Sequence, residues 1–207
     1  MSNRQITIIR IVIHIAALLP LAVLLWDFTQ GNLTANPIRE IQLRTGALAI
    51  NLLMLSLACT PVYILTGYKP VLLLRRPLGI YAFAYALLHF INFIGIDYSF
   101  NFALIREDLF EKRYAVMGFA SFILLLLLAI TSIKRFRQRL GKNWQRLHWL
   151  VYLAATIAIV HYIWLTRVDI SLPLIYGGVL VILLAIRLPL ARNFATRHFK
   201  WLNRTTP

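Results

Sequence analysis

The chain has 207 residues, 60% of them hydrophobic, with 22 basic against seven acidic side chains and a formal charge of +15. Its mean hydropathy of +0.72 is too apolar for a water-soluble domain of this size, and no polar stretch reaches domain length, which leaves an all-α integral membrane protein. A single cysteine, Cys59, excludes an internal disulfide and any cysteine-based metal or iron–sulfur site, and reads as apolar filler.

Windows of about 20 apolar residues mark membrane-spanning helices. In chain order they are expected near residues 6–26, 46–66, 77–96, 114–133, 147–165 and 172–189. The first follows basic residues without a small-residue cleavage site, so it reads as a retained span. Pro20 and Pro61 fall inside the first two spans and are expected to bend them. Pro77 and Pro173 sit in first turns, where a missing N–H does no harm. A six-helix bundle over residues 1–190 then leaves a tail, 191–207. There Phe194, Phe199 and Leu202 alternate with Arg192, Arg197 and Lys200, the pattern of an amphipathic helix lying on a membrane.

The charges sort by side. The N-terminus, the loops 67–76 and 134–146, the tail, and Arg10 and Arg187 at span ends together hold sixteen of the 22 basic residues. The other side holds Arg39, Arg44, Arg106, Lys112, Arg113 and Arg167 with all seven acids. The positive-inside rule therefore places both termini in the cytoplasm. The net charge is a topology signal and an attraction to anionic membrane lipid, with no role for nucleic acid. No Asp or Glu lies within a span, which weighs against a proton-coupled transporter. The chain shows no phosphate-binding loop and no detectable internal repeat. The outer loop 97–113 mixes Phe100, Phe102, Leu109 and Phe110 with Glu107, Asp108 and Glu111, and suits either the membrane surface or a periplasmic protein.

Three histidines stand in or beside the apolar stretches. His89 is twelve residues past Pro77, and His161 thirteen past His148, or about 18 and 20 Å along helices that both run outward. His89 and His161 are thus expected to be level on different helices, as a pair of axial ligands clamping a heme would be. The alternative is a pair of buried histidines bonded to carbonyls or to each other. His148 lies at the cytoplasmic boundary beside Trp144 and Trp149. There it is either part of an interfacial belt or a ligand to a second, inner heme. Its counterpart on the third helix is Arg76, with Arg75 beside it, and arginine pairs with propionates but does not ligate iron. Thirteen residues also turn an ideal helix by about 140° between His148 and His161, so a shared face needs a bend or a wide turn. His14 is expected to bond to a neighbouring helix, with a sixth-ligand role as the alternative, and His198 to lie at a surface. The six basic residues of loop 134–146 could also seat an anionic group such as a flavin phosphate or heme propionates.

Residues 140–164 (LGKNWQRLHWLVYLAATIAIVHYIW), 75–90 (RRPLGIYAFAYALLHF) and 36–49 (NPIREIQLRTGALA) closely resemble the MsrQ (YedZ) family. The resemblance covers nearly the whole chain. More distantly the chain is similar to the ferric reductase and NADPH oxidase transmembrane domain. It implies a multi-pass subunit of the bacterial inner membrane that binds b-type heme and FMN. Such a subunit passes electrons from quinol or a cytoplasmic flavin reductase to MsrP, a periplasmic molybdenum enzyme that reduces methionine sulfoxide in proteins. His89, His148 and His161 match the family's ligand histidines, and no FMN contact can be assigned to a residue. The third helix carries one histidine where the oxidases have two, which puts a full second heme site in doubt. No flavin–nicotinamide domain follows the sixth span, so the chain is expected to be an electron-transfer subunit without a complete catalytic site of its own. The competing function is a small transporter or channel with a histidine-lined pathway, and the third is a cofactor-free membrane anchor.

Overall fold

The computed structural model describes residues 3–166 and 169–188. Among them every regular element is a helix: α1 (Asn3–Thr29), α2 (Pro37–Thr66), α3 (Arg75–Ile91), α4 (Phe102–Glu111), α5 (Arg113–Thr131), α6 (Lys134–Leu140), α7 (Lys142–His148), α8 (Leu150–Leu165) and α9 (Ser171–Ala185). Five helical stretches are long and apolar enough to cross a membrane: Arg4–Thr29, Pro37–Thr66, Lys69–Asp97, Arg113–Thr131 and Lys142–Leu165. The sixth expected span is α9. It is apolar, but its 15 residues rise only about 22 Å, short of a hydrocarbon core of about 30 Å. The amphipathic tail expected at 191–207 lies outside the described residues.

Helix boundaries follow from local chemistry. The Asn36 side chain accepts the Arg39 N–H at 3.0 Å, Pro37 takes the first turn and Glu40 adds an acid there, the three standard devices of a helix start. At the other end of α2, Gly67 adopts φ 70° and returns its N–H to the Tyr63 carbonyl, a left-handed cap that favours glycine. The start near Pro37 lies nine residues before the apolar window at 46, because the cap, and not hydrophobicity, sets it. Both Pro20 and Pro61 lie inside continuous helices. The third span is composite: a 3-10 segment (Lys69–Leu74) leads into α3, and a wide π-helical turn (Asn92–Asp97) ends it.

Packing is pairwise. Helix α2 lies chiefly against α3, and α5 chiefly against α8. The core where the pairs meet includes Leu53, Met54, Leu57, Tyr85, Leu125, Ile159 and Leu180. Ala82 and Ala154 are fully buried, small residues that let helix backbones approach closely. Helix α1 is tied on by Tyr85, whose hydroxyl donates to the Ala17 carbonyl at 2.6 Å. Cys59 is buried, its thiol donating to the Leu55 carbonyl. Large apolar side chains such as Ile15, Leu19, Leu55, Ile123, Val181 and Ile182 face outward, the inversion expected where the solvent is lipid.

Candidate functional site: a histidine pair between two helix pairs

His89 of α3 and His161 of α8 meet inside the bundle, their ring centres 6.3 Å apart and their planes at 86°. Each ring is tied to the helix packed against its own. Nδ1 of His89 lies 2.9 Å from the Gln42 carbonyl of α2, and Nδ1 of His161 lies 2.7 Å from the Tyr114 carbonyl of α5. A carbonyl only accepts, so each Nδ1 carries the hydrogen and each Nε2 keeps its lone pair. That is the tautomer a metal ligand needs, and a carbonyl on the far nitrogen is the usual support of such a ligand. Two metal–imidazole bonds of about 2 Å plus the two ring radii hold ring centres about 6 Å apart, so the observed separation suits a metal held between the rings.

A polar chain reaches the same place. The Gln42 amide lies 3.2 Å from Nε2 of His89 and accepts from Asn92 Nδ2 at 2.6 Å. Asn92 also donates to the Ile38 carbonyl at 3.2 Å, and its own Oδ1 is buried without a partner. Asn92 opens the π-helical turn that follows α3, a device often found at functional sites. Gln42 and Asn92 escaped the sequence reading because nothing about an isolated Gln near a helix start signals that it faces a histidine 47 positions away.

The two halves of the site share one spacing. His161 follows His89, and Tyr114 follows Gln42, by the same 72 positions. The sequence shows no repeat by inspection, yet the geometry relates α2–α3 to α5–α8. Gln42 and Tyr114 differ as side chains, but each offers its backbone carbonyl to a histidine.

His148 is placed elsewhere, at the end of α7, with Trp149 breaking the helix before α8. Its Nδ1 faces the Trp144 carbonyl at 3.1 Å and its Nε2 faces the Ser132 hydroxyl at 3.3 Å, with the Trp144 ring 3.9 Å away. No second histidine meets it among the described residues. It lines a cavity of about 910 Å³ together with Arg75, Arg76, Arg137, Trp144 and Arg187. Arg76 donates to the Ser132 carbonyl at 2.9 Å, so Arg76 and His148 converge on one residue. Arg187 donates to the Tyr152 hydroxyl and the Leu57 carbonyl and lies 5.1 Å from the Tyr152 ring centre. The cavity therefore gathers four guanidinium groups without a carboxylate in its wall, a setting for an anionic group. Sequence reasoning named Arg75 and Arg76 singly and included Arg137 among the six basic residues of loop 134–146 that could seat an anionic group; only Arg187 is read there as a topology charge alone. His14 bonds to the Tyr81 hydroxyl of α3 at 2.7 Å, and His198 lies outside the described residues.

A family model described as the ferric reductase-like transmembrane component matches residues 45–159. Over 192 residues the chain is 39% identical to the protein-methionine-sulfoxide reductase heme-binding subunit MsrQ of Xanthomonas axonopodis pv. citri (strain 306), spanning 90% of this chain and 88% of that protein. The chain belongs to the MsrQ family. The MsrQ subunits of Xanthomonas oryzae pv. oryzae (strain MAFF 311018) and Xanthomonas euvesicatoria pv. vesicatoria (strain 85-10) are each 38% identical over the same shares. The ferric reductase-like match takes in His89 and His148 and stops just short of His161. The MsrQ relationship runs over most of the chain.

Proposed function

We propose that this chain is the heme-binding electron-transfer subunit of a protein-methionine-sulfoxide reductase system, a multi-pass protein of the bacterial inner membrane with both termini in the cytoplasm. The observation that carries the reading is the pair His89–His161, two imidazoles on different helices, each with Nδ1 committed to a carbonyl and Nε2 left as the ligating nitrogen. The family relationship supports it, since the related MsrQ proteins are named as heme-binding subunits. A b-type heme bound there supplies a one-electron centre within the membrane.

The chain's own residues do the rest. His89 and His161 would hold the iron. The carbonyls of Gln42 and Tyr114 fix both rings in one tautomer and make the free nitrogens better donors. The Gln42 amide, 3.2 Å from Nε2 of His89, is the group that would yield that nitrogen to iron. Phe90, stacked on Phe122 at 4.3 Å, closes the adjoining seam between α3 and α5 with apolar surface and keeps water from it. Fourteen residues separate Arg75 from His89, about 21 Å of helix, so the pair lies toward the outer end, where a periplasmic acceptor such as MsrP would receive the electron. The arginine-lined cavity at the other end is the donor side. Arg75 and Arg76 would face propionates or an anionic donor, quinol and a cytoplasmic flavin reductase being the candidate sources. His148 belongs to that end, as ligand of an inner heme or as part of the donor seat, and FMN is carried over from the family without assigned residues.

The test is the visible spectrum of the purified protein grown with ample heme, with heme counted per chain. Loss of the heme held by the pair, read as a fall in Soret absorbance and in heme per chain, is expected in His89→Ala and in His161→Ala, and a colourless wild-type protein overturns the reading. His148→Ala addresses the donor end. A reduced heme count assigns His148 to an inner heme, whereas an unchanged count leaves it to the donor seat.

A further inference from the structure

Each histidine of the pair rests on a glycine. A Cβ built on Gly46 of α2 would lie 3.0 Å from Cε1 and Nδ1 of His89, and one built on Gly118 of α5 would lie 2.8 Å from the same atoms of His161. Carbon contacts are comfortable near 3.5–4.0 Å, and the atoms met belong to rings already tied through Nδ1, so neither can swing aside without losing its hydrogen bond. The position of the glycines explains the contact. A helical side chain covers the turn before its own Cα, so the residue four positions after a carbonyl is the one whose side chain would hide it. Gly46 stands four after Gln42, and Gly118 four after Tyr114, the two carbonyls that hold the histidines. The glycines share the 72-position offset of the carbonyls and the histidines. In both helix pairs the same three-part device recurs: a carbonyl, a gap four residues on, and an imidazole reaching through that gap.

We infer that Gly46 and Gly118 are positioning residues for the heme ligands, open notches that let each imidazole dock on its carbonyl and so set the place of its Nε2. The inference rests on the heme reading of His89 and His161 given above. It carries a sharp contrast. Alanine is the better helix former, so at a position where glycine has no such task, alanine leaves the protein unchanged or firmer. Gly178 of α9, where an added Cβ meets nothing within 4 Å, is that control.

The experiment uses the full-length protein in its membranes, with a fluorescent C-terminal fusion reporting folded chain. It reads heme per folded chain, the low-spin electron paramagnetic resonance signal of a bis-histidine iron, and the midpoint potential. Gly118→Ala is expected to lose most of the low-spin signal, Gly46→Ala to lose less of it because its contact is looser, and Gly178→Ala to match wild type. A wild-type heme count, signal and potential in both Gly46→Ala and Gly118→Ala overturns the inference while leaving the heme reading intact. A colourless wild type overturns the heme reading itself. Should Gly118→Ala fail to accumulate, the double variant Gly118→Ala/His161→Ala decides. Recovery of folded protein identifies the ring as what the methyl group strikes, and no recovery overturns the positioning role.

Discussion

His89 is gripped at both nitrogens by one residue, because Gln42 supplies its carbonyl to Nδ1 and its amide to Nε2. The two grips differ in kind, since the carbonyl belongs to the backbone and survives any substitution, whereas the amide does not. Gln42→Leu is therefore expected to keep the low-spin heme spectrum while lowering thermal stability in detergent. The loss arises because Asn92, 2% exposed, would then hold an amide with one partner fewer, and a buried group deprived of its partner costs about 1–3 kcal/mol. Replacing both members removes that penalty, so Gln42→Leu/Asn92→Leu should be less damaged than the single losses add up to, with a coupling of about 1 kcal/mol. Thermal unfolding of the four proteins measures it. Strict additivity would show that the contact between the two amides contributes nothing.

At the scale of elements, the site depends on where α2 begins. Asn36→Ala removes a side-chain cap worth about 1 kcal/mol, and hydrogen exchange across residues 38–42 should rise about fivefold, loosening the turn that carries the Gln42 carbonyl. Unchanged exchange there would mean that tertiary packing alone holds the turn. The loop 97–113 has its own fastening. On α4 the Asp108 carboxylate accepts from the Lys112 ammonium and from the Tyr98 hydroxyl, and these two bonds, Lys112 first, hold its pKa below the ordinary carboxylate value. A folded value depressed in this way contributes stability that is complete above about pH 4 and is lost as pH falls through the folded value. Protection of the 102–111 amides, corrected for intrinsic exchange, is expected to fall on acidification below that range, and in Lys112→Met this acid-dependent fall should be smaller. Of these elements, five of the six expected spans and the meeting of His89 with His161 were legible in the sequence, because hydrophobic length and helical rise are properties of a single segment. The helical character of 102–111, the early start of α2 and the break at Trp149 were not. Each is decided by caps and by contacts with other segments, which hydropathy does not record.

For the molecule as a whole, the fold makes the two ends electrically unlike in a way that residue counts understate. Among the described residues three basic–acidic pairs fasten the end that carries the acids: Arg44 with Asp27 and with Glu40 at 2.5 Å each, and Lys112 with Asp108. Arg44 and Lys112, two of the six basic residues on that side, are therefore neutralised where they stand. At the other end Arg75, Arg76, Arg137 and Arg187 surround one cavity without an acid in its wall, and the bias that governs insertion, which counts basic residues near span ends, is concentrated there. Orientation and the proposed function then become one question, because a cytoplasmic donor would reach the cavity only if its end faced inward, which would leave the histidine pair toward the periplasm. The relation between the helix pairs sharpens the asymmetry: the 72-position offset that carries His89 onto His161 carries Arg76 onto His148, so one end has two imidazoles where the cavity end has one imidazole and one guanidinium. The arrangement predicts that a cysteine placed at Ala103 of α4 is labelled by a membrane-impermeant maleimide in intact cells, while one placed at Gln138 of α6 is labelled only after the membrane is opened, with Cys59, buried in α2, silent in both. The opposite labelling pattern would invert the molecule and, with it, the proposed direction of electron flow.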